Sequence, residues 1–338
     1  MNYMARRKSN KIEPSVMSFI LNTPPTTGGS TGQFTCDLSQ VASLMNRRFY
    51  RQGINWAVAG IKIISSGSGT VLVKKLPNTW VLSNAWEKGM RTWLKMSNEA
   101  LSETESVRPK FMDYKIYADS VHHNAGYGAN LLPLGQSLVA YTEGEWDASV
   151  MSIPVGPEFN VPNDINEYEI IATGANYPGA SPATTLDAVS LIEGYAASRA
   201  LPNLHNPNTP ADSTDVSSQT PENWMVATFN EGTDQTHEVL ENLELTNMRP
   251  PYPYEGDSIN PDTMYPNGAN QAPGLEIHDW VQLSGTTIGG QSRAKGGNFP
   301  CGLMRFDWTP ETTSNIIIQV DLVPGNHRGY LCEPMTEM

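Results

Sequence analysis

The chain has 338 residues, a formal net charge of −13 and 39% hydrophobic residues, among them 8 Trp and 13 Tyr. That aromatic content excludes a disordered chain, while 28 Gly and 25 Pro imply many turns and favour an all-β body with long loops. No apolar run reaches the roughly 18 residues of a membrane span, and Cys36, Cys301 and Cys332, odd in number and without CxxC spacing, argue for buried free thiols over a disulfide framework or a zinc site.

The chain opens on a basic arm, residues 1–14, in which Arg6, Arg7, Lys8 and Lys11 stand without apolar periodicity. Charge is unevenly spread beyond it. Residues 1–115 hold 16 Lys and Arg against 7 Asp and Glu, a balance of +9, and residues 116–338 hold 6 against 28, a balance of −22. If these halves segregate in space, one face suits a polyanion and the other repels it. "RRFYRQG" adds Arg47, Arg48 and Arg51, and Lys74 and Lys75 follow. Together with the arm they neutralise several phosphates without reading a base sequence. Phe49 and Tyr50 between the arginines suit base stacking, although aromatics so placed more often serve a core. The bland alternative is a solvated tail.

The rest, residues 15–338, reads as one domain. "GQFTCDLSQVASLMNRRFYRQG" starts extended and then sets Asp37 ahead of Val41, Leu44 and Met45, the pattern of a short N-capped helix. "AVAGIKII" and "TVLVKKL" flank Ser/Gly turn residues as hairpin strands do. Leu82, Trp86, Met90, Trp93 and Leu101 fall near helical spacing and predict an amphipathic helix of roughly five to seven turns, its Trp side packed on the sheet. "RPKFMDYKIYADS", "SLVAYTEGEWDASVMSIPV" and "INEYEIIATG" read as strands, and "DAVSLIEGYAASRAL" as helical. Residues 201–275 carry 10 of the 25 prolines and read as a loop-rich insertion, broken mainly by a strand at "NWMVATFNE". "LEIHDWVQLSG", "CGLMRFDW" and "NIIIQVDLVPG" are closing strands. The last carries an apolar run that predicts insertion between earlier strands, with Ile316, Ile318, Val320 and Leu322 facing the core. All the strands are expected in one two-sheet sandwich with no parallel pairing.

Candidate chemistry is sparse. His122 and His123, if on a strand, point to opposite sides and chelate poorly, so a loop or core hydrogen-bonding role is expected. Glu143, Glu145 and Asp147, and Glu167 with Glu169, read as a solvated acidic edge before a glycosidase pair or a calcium site. GxSxG, HExxH, GxxxxGK[ST] and GxGxxG do not occur. No catalytic residue, cofactor or metal is expected.

"NRRFYRQG", "VKKLPNTWVLSNAWEK", "LIEGYAASRALP", "GGNFPCGLMRFDW" and "IIIQVDLVPGNHRGYLCEPM" span most of the chain. On these phrases it resembles the capsid proteins of small circular Rep-encoding single-stranded DNA viruses, the group that includes smacoviruses. The resemblance implies a jelly-roll β-sandwich with long loop insertions and one or two short helices. It further implies that copies self-assemble into an icosahedral shell, the virion, around a single-stranded DNA genome, with the arm inside and no membrane. One departure matters: the arm has only four Lys and Arg before Glu13, which moves DNA contact toward Arg47, Arg48, Arg51, Lys74 and Lys75. The alternatives are a β-sandwich carbohydrate-binding or glycosidase-like protein, using surface Trp and acidic clusters, and a double jelly-roll capsid protein, for which the length suffices.

Overall fold

The computed structural model describes residues 15–102, 106, 112–154, 165–198, 274–284 and 290–338. The basic arm, the strand expected at "NWMVATFNE" and nearly all of the 201–275 insertion lie outside these residues.

In chain order the strands are β1 (Ser18–Asn22), β2 (Gly32–Asp37), β3 (Ile54–Ser65), β4 (Gly69–Lys75), β5 (Met151–Pro154), β6 (Ile165–Ile171) and β7 (Asp187–Ser190). They continue as β8 (Glu276–Leu283), β9 (Gln291–Phe299), β10 (Leu303–Pro310), β11 (Ile316–Leu322), β12 (Pro324–Gly325), β13 (Gly329–Tyr330) and β14 (Cys332–Pro334). The α-helices are α1 (Leu38–Asn46), α2 (Trp80–Ser102), α3 (Ser120–Ala125) and α4 (Leu191–Ala197).

The fold is mostly β-sheet. One sheet runs β1-β11-β3, with β9 on the other side of β3 and β14 pairing the first residues of β3; the second runs β2-β10-β4-β8. Every pairing in both is antiparallel. As the alternation predicts, β11 lies between β1 and β3, and its Ile316, Ile318, Val320 and Leu322 are buried. Each such side chain contributes about 1.5–3 kcal/mol on leaving water. They meet Phe19, Trp56, Ile63, Val73, Phe306 and Trp308 in the core between the sheets.

Several expectations are corrected. β3 and β4 are not a hairpin: β3 pairs with β11, β9 and β14, whereas β4 pairs with β10 and β8 in the facing sheet. Both bury alternate side chains toward the same interior, and a period of two is equally served by neighbouring or facing strands. Nor do all strands join one sandwich. β5, β6 and β7 form a separate small sheet in which β6 and β7 run parallel. Third, residues 112–116 are extended without being a strand. Side chains replace a ladder there: Ile116 N donates to Gln52 Oε1 at 2.7 Å and Lys115 N to Ser149 Oγ at 2.9 Å. Fourth, the described residues hold four α-helices and one is long, since α2 has 23 residues, about six turns.

α2 rests on the small sheet and α4 and also reaches the end of the sandwich, where Trp86 lies against Gly53 and Ser83 Oγ donates to Met335 O at 2.6 Å. Its Val81, Leu82, Ala85 and Trp86 join Met151, Ile153, Ile170 and Val189 in a second core. The expected helix at "DAVSLIEGYAASRAL" begins as β7 and turns helical only at Leu191. This second unit is inserted between β4 and β8, which are neighbours in one sheet.

Candidate nucleic-acid interface

α1 carries the first predicted arginines to its end. Asp37 caps its start, its Oδ1 accepting from Ser39 N at 2.8 Å, and Arg47 ends it in the left-handed conformation with φ 53°. The reversal sends Tyr50 inward, 1% exposed, with its ring 5.5 Å from Tyr330 and 5.9 Å from Trp56. Phe49 stays half-buried, while Arg47, Arg48 and Arg51 are exposed. Of the two candidate stacking rings, the structure therefore gives Tyr50 to the core and leaves Phe49 at the surface.

Arg51 donates from Nε to Met112 O at 3.1 Å, and its guanidinium carbon lies 5.8 Å from the Phe49 ring. Arg328, which no sequence pattern singled out, joins from the far end of the chain. It donates from Nη1 to Phe49 O, and its own carbonyl accepts from Tyr50 Oη at 3.1 Å. Lys74 and Lys75 do not join this group. Lys74 is paired with Asp307 at 2.5 Å, and Lys75 donates to Asn298 O at 3.2 Å opposite Glu276. Burial lowers the pKa of Lys75, partly offset by Glu276. Arg6, Arg7, Lys8 and Lys11 lie outside the described residues.

Arg51 and Arg328 stand on the rim of a pocket of about 460 Å³ between the end of the sandwich and α2. Ile54, Trp86 and Tyr114 are its buried floor, and Phe49, Met90 and Trp93 form half-buried walls. Trp86 and Trp93 approach the Tyr114 ring at 5.9 and 5.7 Å. A side chain at Gly53 would strike the six-membered ring of Trp86, its Cβ falling 2.3 Å from Cζ2, so glycine there lets the indole lie against the start of β3. Asp113 and His327 complete the polar lining. Burial pushes the Asp113 carboxyl up to about 6 against the pull of Lys115, and burial with the neighbouring Arg328 lowers His327.

Behind the pocket lies a buried polar network. Asp37 Oδ2 accepts from Gln52 Nε2 and from Trp146 Nε1, both at 3.1 Å, and Gln52 N donates to Asp113 Oδ2 at 3.3 Å. His122 and His123 sit on α3, not on a strand, and both are buried. His122 Nδ1 accepts from Ala118 N at 3.1 Å and Nε2 lies 2.8 Å from Asn130 Oδ1, which makes it a neutral ring protonated on Nε2. Burial, then the Arg305 charge, holds it down at about 3. His122 is thus a core hydrogen-bonding histidine, whereas the buried His123 ring makes no hydrogen bond among the described residues, its Nε2 only approaching Glu169 Oε2 at 2.9 Å. Glu143, Glu145 and Asp147 are exposed, as an acidic edge requires, but Glu169 is not: it is 2% exposed, with Thr184 Oγ1 at 2.8 Å and His123 Nε2 at 2.9 Å. Comparison of the chain with family models, with curated proteins and with solved structures gave no match.

Proposed function

We propose that this chain is a structural subunit of an icosahedral capsid that encloses single-stranded DNA, and that its two main sheets are one jelly roll. The supporting observation is the strand order. β1-β11-β3-β9 faces β2-β10-β4-β8, so the chain crosses between sheets at every step except β4 to β8, and the last strands lie beside the first. Interleaved Greek keys have this order, and eight strands in two sheets make a jelly roll. Three short connections, 23–31, 66–68 and 311–315, meet at one end of the sandwich, where Thr26 N donates to Ser314 O and Glu311 N to Ser68 O, both at 2.9 Å. The large insertion leaves from the other end. A single roll is preferred to a double one because the described part of that insertion pairs strands in parallel.

Among the described residues β8 is an edge strand, and this edge favours self-association. Its Ile277 and Trp280 are each 63% exposed, and an edge that offers unpaired backbone beside large apolar side chains binds another copy unless it is blocked. Replacing both with Ser is expected to shift assemblies toward free subunits without lowering the melting temperature. Undiminished assembly would remove this edge from the interface.

The direct test is expression followed by negative-stain microscopy and DNase treatment. Closed particles that protect single-stranded DNA are expected; a folded monomer that forms no particle across salt and pH would overturn the reading. Replacing Arg6, Arg7, Lys8 and Lys11 with Gln should weaken DNA retention, each lost phosphate contact reducing the salt slope by about 0.7, without blocking folding. Equal DNA content across a salt series would free the arm of this role.

A further inference from the structure

We infer that the pocket between the sandwich end and α2 holds a nucleoside monophosphate unit, its base against the Trp93 wall and the Trp86 floor and its phosphate at Arg51 and Arg328. The inference rests on the nucleic-acid part of the reading above and not on assembly.

Size comes first. About 460 Å³ lies within the range of roughly 300–1,000 Å³ typical of small-ligand pockets, and it fits one nucleotide rather than a duplex. The lining then selects chemistry. Trp86, Trp93, Tyr114 and Phe49 offer ring surfaces and Met90 a polarisable thioether, which suit a flat heteroaromatic ring of any base identity.

Charge sets the orientation. The rim carries two exposed guanidinium groups, and among the described residues no acceptor takes the Nη atoms of Arg51, whose Nε alone is committed, to Met112 O. A planar fork with uncommitted donors matches phosphate oxygens. Asp113, the one carboxylate in the lining, is coupled by charge to Arg51. The two exposed guanidinium groups therefore take the phosphate, and the base lies against the rings. The long helix, the Phe49 turn and the Arg328 loop come from three distant parts of the chain, which explains why no motif marks the site.

The test titrates the full-length subunit, followed by tryptophan fluorescence, with dAMP, the octanucleotide (dA)8, an abasic octamer and inorganic phosphate. Binding of dAMP or (dA)8 at least tenfold tighter than of the abasic strand and phosphate is expected, and the tighter of the two identifies a free nucleotide or a strand as the source. Trp93→Ala should abolish the preference for the base-bearing strand. Arg51→Gln with Arg328→Gln, which touches only exposed side chains, should weaken binding at least tenfold and flatten its salt dependence with unchanged melting. Equal binding of abasic and base-bearing strands, no binding of either, or wild-type binding by the double Arg variant would overturn the inference. If those variants still package DNA in particles, the capsid reading stands without the pocket. If subunits bind nucleotide but never assemble, the pocket stands and the capsid reading falls.

Discussion

Asp119→Ala is expected to lower the unfolding free energy by about 3–5 kcal/mol, because it strands a buried charge. Arg305 projects from β10 on the outer side of its sheet, across from Thr35 on β2 and Lys74 on β4, yet it is only 2% exposed. The insertion covers it. Its Nε donates to Thr35 Oγ1 at 2.8 Å and its Nη2 to Asp119 Oδ1 at 2.5 Å. The same Oδ1 accepts from His122 N at 2.9 Å and caps α3, so one carboxylate pins the insertion to the sandwich. Loss of the cap adds about 1 kcal/mol. Asp307 offers little rescue, since it already pairs with Lys74. Urea denaturation measures the effect, and Asp119→Ala with Arg305→Met should recover most of it by removing the orphaned cation. A loss below about 1 kcal/mol in the single variant, or a double variant no more stable than the single, would show that the pair does not hold the two units together.

What the sequence disclosed follows from how locally each feature is encoded. β11 and α2 announce themselves because their burial repeats at the period of their own backbone, and the cap at Asp37 needs only its next neighbours. β1 and β9 escaped notice. "SFILN" is too short to show a period, and "QSRAKGGNF" buries only Ala294 and Phe299. Its glycines serve the pairing instead: a Cβ on Gly296 would lie 2.4 Å from the carbonyl oxygens of Val58 and Ala59 in β3. The basic set was legible as composition but not as a site. Charge counting cannot tell Lys74, which is paired with Asp307, from Arg51, whose guanidinium stands at a pocket rim, nor can it bring Arg328 beside Phe49. The same holds for Glu169, whose burial depends on α3 packing against β6.

The contribution of Asp37 to stability should fall as pH rises toward about 6, against the opposite slope of the lowered His122 and His327, and Asp37→Asn should remove it. Asp37 is fully buried; burial pushes its carboxyl up to about 6, outweighing the hydrogen bonds from Gln52, Ser39, Trp146 and Gln40 that pull it down. The unfolded chain returns it to about 3.9. Between those values the folded state holds a proton that the unfolded state has lost, so the contribution is fully present below about pH 4 and disappears as pH rises through about 6. A difference of about two pH units corresponds to about 3 kcal/mol. Asp113 shifts in the same direction, the charge of Asp37 being among its causes, which steepens the fall. Asn at position 37 does not titrate. It presents an amide NH2 to the donors Gln52 Nε2 and Trp146 Nε1, so the variant is less stable at every pH, by about 1–3 kcal/mol. The informative quantity is therefore the slope and not the level. Urea denaturation of both proteins from pH 4.5 to 7.5 should give curves that converge as pH rises, the other titrating groups cancelling between them except Asp113, whose shift relaxes when the Asp37 charge is removed. Parallel curves would mean that Asp37 is ionised in the fold throughout, its four donors outweighing its burial.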